Sequence, residues 1–193
     1  MGVEFELKFR GSAEALDAIE KDAQGEKQHY HMQTTYYDTP TGALSARKYT
    51  LRRRLENDRS VCTLKFPVTE DGRGEFELDC DKIEAAVPTL CKLSGIADLE
   101  ELAAEGLQPV CGADFHRSAF TLRWNGATLE LALDRGKLTG GNRELPIFEV
   151  EVELKEGDPQ TARAYAALCA AAYGLTPEKR SKFRRALDLA KGE

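Results

Sequence analysis

No stretch of the 193-residue chain approaches the roughly 18 consecutive apolar residues that a membrane-spanning helix needs, and 31% of the residues are charged. The sequence therefore predicts no membrane span. Nor is the N-terminus basic as in a secretory signal, because Met1-Gly2-Val3-Glu4 carries an acid where such a segment carries Lys or Arg. Cysteines are few and odd in number: Cys62, Cys80, Cys91, Cys111 and Cys169 show neither CxxC nor Cys/His ligand spacing. That pattern fits neither a disulfide framework nor a zinc site, and reduced thiols in a cytoplasmic protein are expected. An excess of basic charge is missing too. With 27 Lys+Arg against 33 Asp+Glu the formal net charge is −6, which argues against nonspecific nucleic-acid binding but leaves room for a concentrated basic patch. Histidine (three) and tryptophan (Trp124 alone) are scarce. What remains, 41% hydrophobic residues, suffices for an ordinary core, and one domain spanning residues 1–193 is expected.

Val3 to Arg10 alternates strictly, with Val3, Phe5, Leu7 and Phe9 on one face and Glu4, Glu6, Lys8 and Arg10 on the other, the period of a strand. Ser12 is placed to cap a helix reaching about Gln24, with Gly25 ending it. Strands are predicted near residues 34–38, 50–56, 61–66 and 74–81, separated by turns rich in Thr, Pro, Gly, Asn and Asp. Residues 82–106 read as two short helices, broken by Pro88 and by Ser94-Gly95. Strands return near 111–124, 127–135, 137–139 and 146–155, with Asn125-Gly126 a hairpin signal. Asp158-Pro159 marks the start of a helix ending at Gly174, and a last helix covers about 177–190. The fold class is α+β, dominated by antiparallel strands. The alanines 166, 167, 170, 171 and 172 suit close helix packing or a homodimer face.

Alternation alone says little about function, since any half-exposed antiparallel strand shows it. Here the alternating polar positions are nearly all charged: Glu4, Glu6 and Lys8; Arg52 and Arg54; Lys65; Glu75 and Glu77; Glu130 and Asp134; Glu149, Glu151 and Glu153. Acids two apart on one strand lie roughly 6.6–7 Å from each other and repel unless a cation intervenes. Lys and Arg of neighbouring strands could supply it, and so could a hard divalent ion such as Mg²⁺ or Mn²⁺. His29, His31 and His116 lack ligand spacing and fit surface or structural roles. Carboxylates mixed with Arg and Lys suit polyphosphate chemistry, with metals bridging phosphate oxygens and cations neutralising the remaining charge. A charged outer sheet face is the alternative. Under the polyphosphate reading the apolar alternates point outward toward helices, and the sheet encloses a charged interior.

Glu4-Phe5-Glu6-Leu7-Lys8 resembles the ExExK signature of the CYTH domain, or triphosphate tunnel metalloenzymes. The resemblance extends in order through Thr35 to Pro40, Leu51 to Arg54, Thr63 to Lys65, Glu75 to Glu77, Phe115 to Arg117, Glu130 to Gly136, Phe148 to Leu154 and Ser181 to Arg185. It implies an eight-stranded antiparallel β-barrel forming a tunnel, with surrounding helices. By matching position, Glu4, Glu6, Glu149, Glu151 and Glu153 would be ligands for Mg²⁺ or Mn²⁺, with two ions expected. Lys8, Arg52, Arg54, Lys65, Arg117, Lys182 and Arg185 would bind phosphate, and Glu75, Glu77, Glu130 and Asp134 would line the tunnel and orient cations, metal or water. The segments most resemble bacterial inorganic triphosphatases, which implies a small-molecule triphosphate substrate; from the net charge and the lack of a long apolar run, no nucleic-acid and no membrane partner is expected. Thiamine triphosphatase, class IV adenylate cyclase and a noncatalytic polyphosphate-binding module are the alternatives.

Overall fold

The computed structural model describes residues 5–68 and 73–192. In chain order the elements are β1 (Phe5–Arg10), α1 (Ala13–Asp22), β2 (Glu26–Asp38), α2 (Ala43–Ala46), β3 (Thr50–Glu56), β4 (Arg59–Pro67) and β5 (Arg73–Asp79). There follow α3 (Ile83–Ser94), α4 (Leu99–Ala104), β6 (Gln108–Trp124), β7 (Ala127–Gly140), β8 (Arg143–Glu156), α5 (Pro159–Tyr173), β9 (Thr176–Pro177) and α6 (Lys182–Lys191). Every pairing is antiparallel, in the order β5-β4-β3-β2-β6-β7-β8-β1-β9.

Local chemistry sets most boundaries. Ser12 Oγ accepts from the Ala15 amide and starts α1. That helix stops at Asp22, short of Gln24, because Ala23 already has extended dihedrals. Asp158 caps α5, Pro159 opens it, and Gly174 closes it in the left-handed conformation, as the spacing predicts. Asn125 (φ 45°) and Gly126 (φ 81°) are both left-handed and join β6 to β7 by a tight turn. Pro88 does not break α3, which runs on until Gly95; that helix buries Ile83, Ala86, Val87 and Leu90 against the sheet. Burial of this face outweighs the one hydrogen bond that proline removes. β2 begins eight residues before its predicted start, and β7 passes through Gly136 without interruption, because long register with β6 overrides the weak local signals. The last helix starts at Lys182, not Pro177, because Thr176 and Pro177 pair with Arg10 and Phe9.

The sheet buries apolar side chains on its outer face. Leu129, Leu131, Leu133, Val150 and Val152 pack with Leu16 and Ile19 of α1 and Ala162 and Ala166 of α5. Leu51, Leu64, Phe76 and Leu78 pack under α3 and α4. The inner face is charged at its centre. One part of it, Met32, Ala113, Phe115, Leu138 and Ile147, is apolar and receives Ala186 of α6. The sheet curls until β1 and β4 line one cavity, but the expected closed ladder is absent among the described residues: β5 and β9 are its edges. At the C-terminal end of β1, residues 176–178 take the second edge, with the Glu178 amide donating to the Lys8 carbonyl at 2.9 Å.

Gly140 lets α6 lie against β7: a Cβ there would stand 2.4 Å from the Ala186 carbonyl oxygen and 2.5 Å from the Ala190 nitrogen, both backbone atoms. Gly140→Ala is expected to destabilise the fold by about 1–3 kcal/mol through overpacking. Urea unfolding should show a lower midpoint at unchanged slope; an unmoved midpoint would mean that α6 is not seated there.

Candidate active site

The cavity inside the curled sheet has a volume of about 630 Å³ and is lined by nine basic and seven acidic side chains. Strand register explains its layout. On one wall Glu6 of β1, Glu153 of β8 and Glu130 of β7 are direct cross-strand neighbours, and Lys8 sits opposite Glu151 in the next inward row. Adjacent strands lie about 4.7–4.9 Å apart, so these carboxylates form a rung of like charge. The opposite wall is richer in cations. Arg52 and Arg54 of β3 point inward with Lys65 of β4, and Glu75 of β5 bridges Arg52 at 3.3 Å and Lys65 at 2.5 Å. Arg54 donates to Thr34 Oγ1 at 3.1 Å, and its burial pulls its pKa down to about 10.

Lys182 enters from α6, its ammonium 2.8 Å from Asp134, 3.1 Å from Glu149 and 2.7 Å from Glu151. Arg117 holds Asp134 with two 2.7 Å hydrogen bonds and also donates to Glu151. Burial alone would raise the Glu151 pKa, yet Lys182 and Arg117 hold it well below the usual carboxylate range. Burial opposes the charge on Lys182 as well, and Asp134, Glu151 and Glu149 override it and raise its pKa. Glu6 behaves oppositely: burial, then the Glu151 charge, push it up to about 7, despite Lys8 3.7 Å away. The carboxylate wall thus falls short of positive charge at Glu6.

A family model described as the CYTH domain matches residues 2–187. The chain belongs to the CYTH family. It is 35% identical over 137 residues to an inorganic triphosphatase of Haemophilus influenzae, a match covering 70% of this chain and 39% of that protein. The chain thus spans well under half the length of that curated relative. Among solved structures it is similar to a Hippeastrum protein, described as a candidate adenylyl cyclase with a dominant triphosphatase activity (TM-score 0.67, 22% identity, 98% and 96% of the two chains covered). A candidate adenylate cyclase from Bacillus halodurans gives a TM-score of 0.65 at 17% identity, covering 95% and 96%. At these identities the two structures establish the CYTH fold.

Against the CYTH expectations, the structure places Glu6, Lys8, Arg52, Arg54, Lys65, Glu75, Glu77, Arg117, Glu130, Glu151, Glu153 and Lys182 on the cavity wall. Three expected site residues lie off it. Asp134 and Glu149 are fully buried beneath Lys182, and Arg185 donates to Glu149 and reaches Glu178 at 3.9 Å. Glu149 is paired with Lys182 and Arg185, and neither Glu149 nor Arg185 is among the side chains that line the cavity. Glu4 lies outside the described residues. The cavity also takes in Glu56, Arg73 and Lys155, which share the inward parity and were legible from it, and Arg59, which has the parity of Lys65 but precedes the strand predicted at 61–66, since β4 begins two residues earlier. Trp124 stacks edge-on against Tyr165 of α5, outside the sheet. Asp38, in the Tyr36 to Pro40 segment, caps α2 by accepting from the Leu44 and Ser45 amides.

CYTH membership implies a divalent-metal requirement. The residues present fit one: Glu6 and Glu153 offer hard oxygen donors on adjacent strands, and Glu6 resists ionising without added positive charge. Among the described residues no three such side chains converge closely enough to hold an ion unaided.

Because Glu6 has a folded pKa of about 7 against 4.5 for the ordinary carboxyl, ionising it costs folded-state stability. Its contribution is fully present below pH 4.5 and is lost as pH rises toward 7. In metal-free protein Glu6→Gln should flatten this part of the stability profile, read by urea unfolding at several pH values; an unchanged slope would show that Glu6 is not strained.

Proposed function

We propose that the chain hydrolyses inorganic triphosphate to pyrophosphate and phosphate, assisted by Mg²⁺ or Mn²⁺, as two ions, within one domain spanning residues 1–193. One observation carries this reading: a single cavity sets a wall of Arg and Lys against a rung of carboxylates in which Lys155 serves Glu153 and Glu130 while Glu6 is left short of positive charge. A polyanion with its divalent cations matches both walls at once, whereas a plain anion matches only the first. The curated relative is named an inorganic triphosphatase, which favours that substrate over an organic one. The five free thiols suit a reducing compartment such as the cytoplasm.

In this reading Glu6, Glu151 and Glu153 hold the cations, together with Glu4. Bound there, the metal supplies charge neutralisation and Lewis acidity. Arg52, Arg54, Lys65, Lys8, Arg117 and Lys182 hold phosphate oxygens, and Glu75 fixes the directions of Arg52 and Lys65. Asp134 and Glu149 do the same for Arg117 and Lys182. Glu77 and Glu130 border the space where water would approach. A water oxygen attacks the terminal phosphorus, the bridging P–O bond breaks, and pyrophosphate leaves with its charge met by the cationic wall. Positioning and charge neutralisation account for the acceleration, so no protein nucleophile is required.

Phosphate release should be measured side by side from tripolyphosphate, thiamine triphosphate and ATP, with Mg²⁺, Mn²⁺ or EDTA. A strong, EDTA-sensitive preference for tripolyphosphate is expected; preference for an organic triphosphate, or release that survives EDTA, would overturn the reading. Lys182→Ala should cut kcat/KM by about tenfold or more, the scale of a lost charge-assisted hydrogen bond. Glu6→Gln should abolish metal-dependent turnover while leaving the fold intact, checked by circular dichroism.

A further inference from the structure

Glu178 belongs to no expected site and lies outside the cavity, yet it is buried, with its side chain 3% exposed, in the link between β9 and α6. Its carboxylate receives Arg10 at 2.9 Å, accepts from the Arg180 amide at 2.9 Å, and reaches Arg185 at 3.9 Å. Arg185 donates in turn to Glu149, and Glu149 holds Lys182 3.1 Å away. Charges therefore alternate from Arg10 at the surface, through Glu178, Arg185 and Glu149, to the ammonium on the cavity wall, the Glu178–Arg185 step being an ion pair at 3.9 Å without a hydrogen bond. The Glu178 amide also donates to the Lys8 carbonyl, so the same residue ties the entry to α6 onto the strand that carries Lys8.

Replacing a buried ion pair by well-packed apolar side chains is often neutral or stabilising, so the burial of Glu178 among cations is weak evidence for a purely stabilising role. Here the network has a geometric result. Lys182 is the first residue of α6, where fraying is easiest, and besides its own three carboxylate partners it is coupled to Arg185 through one helical turn and through their shared partner Glu149. We infer that Glu178 is a positioning residue: through Arg185 and Glu149 it holds the first turn of α6 so that Lys182 stays aimed into the cavity. This rests on the function proposed above for the role of Lys182, but the alignment itself can be read without turnover.

The test is a double-mutant cycle of Glu178→Gln with Lys182→Ala. Glu178→Gln keeps volume and removes the charge. It should lower kcat/KM for tripolyphosphate, and its binding affinity, by about tenfold in the parent protein and by less than about twofold in the Lys182→Ala background. Equal losses in both backgrounds would make Glu178 merely structural and overturn the inference, as would a loss under about twofold in the parent. If Glu178→Gln does not fold, Glu178→Asp enters the same cycle under the same criteria. A ligand-independent arm follows the Lys182 ammonium by NMR, where a slowly exchanging signal in the parent should be lost in Glu178→Gln; persistence overturns the inference. Parent protein that shows this signal and coupling in binding, yet releases no phosphate, would refute the proposed hydrolysis while leaving the positioning role standing.

Discussion

Everything inside the sheet depends on how Lys182 is neutralised. Its ammonium is almost sealed from solvent and stands within 3.1 Å of three carboxylates, two of which are wholly buried. A buried charge tolerates such a place only if its partners are fixed, and removing one partner strands the others. Arg117 and Arg185 complete the balance by pairing with those same acids from opposite sides. The consequence is mutual: the helix is pinned to the strands by the cation it delivers, and the pKa of Glu151 is held down in part by that same cation.

The architecture turns the usual arrangement inside out. A small closed sheet normally fills its interior with branched apolar side chains, whereas here those side chains face outward and are covered by α1, α5, α3 and α4. Stability thus comes from two apolar clusters outside the sheet, and the interior is left for chemistry. The division relieves each surface of the other's constraint. Charges on the inner face need not pack well, and the outer clusters need not satisfy polar groups. Only under α6, where Ala186 meets Phe115 and Leu138, do the two requirements meet on one face.

Most of this was legible in the sequence because period-two alternation is a strong signal when its polar half is nearly all charged. Parity alone separates Arg52 and Arg54 from Arg53, which donates outward to Ser60 Oγ, and it places Glu75, Glu130 and Glu153 inside. Depth along a strand is what parity cannot give. Asp134 and Glu149 have the right parity, but they sit at the level where α6 crosses, so they are covered while Glu130 and Glu153 remain open. Helix ends were equally instructive. Asp158 and Gly174 mark α5 by local chemistry, whereas Pro177 was misread as helical because its real role, pairing with Phe9, is a contact across 168 residues of chain. Long-range pairing also extended β2 far upstream, through His29 and His31, where no local propensity announces a strand.

The open seam of the sheet has a mechanical meaning. Along every other pair of neighbouring strands, backbone hydrogen bonds fix the spacing at a value that side chains cannot alter. Between the edge strands β5 and β9 no such ladder exists among the described residues, and Lys65 and Glu6 act on each other across the cavity by charge alone. Along this seam alone, the width of the cavity is free of the fixed spacing that a backbone ladder imposes everywhere else around it.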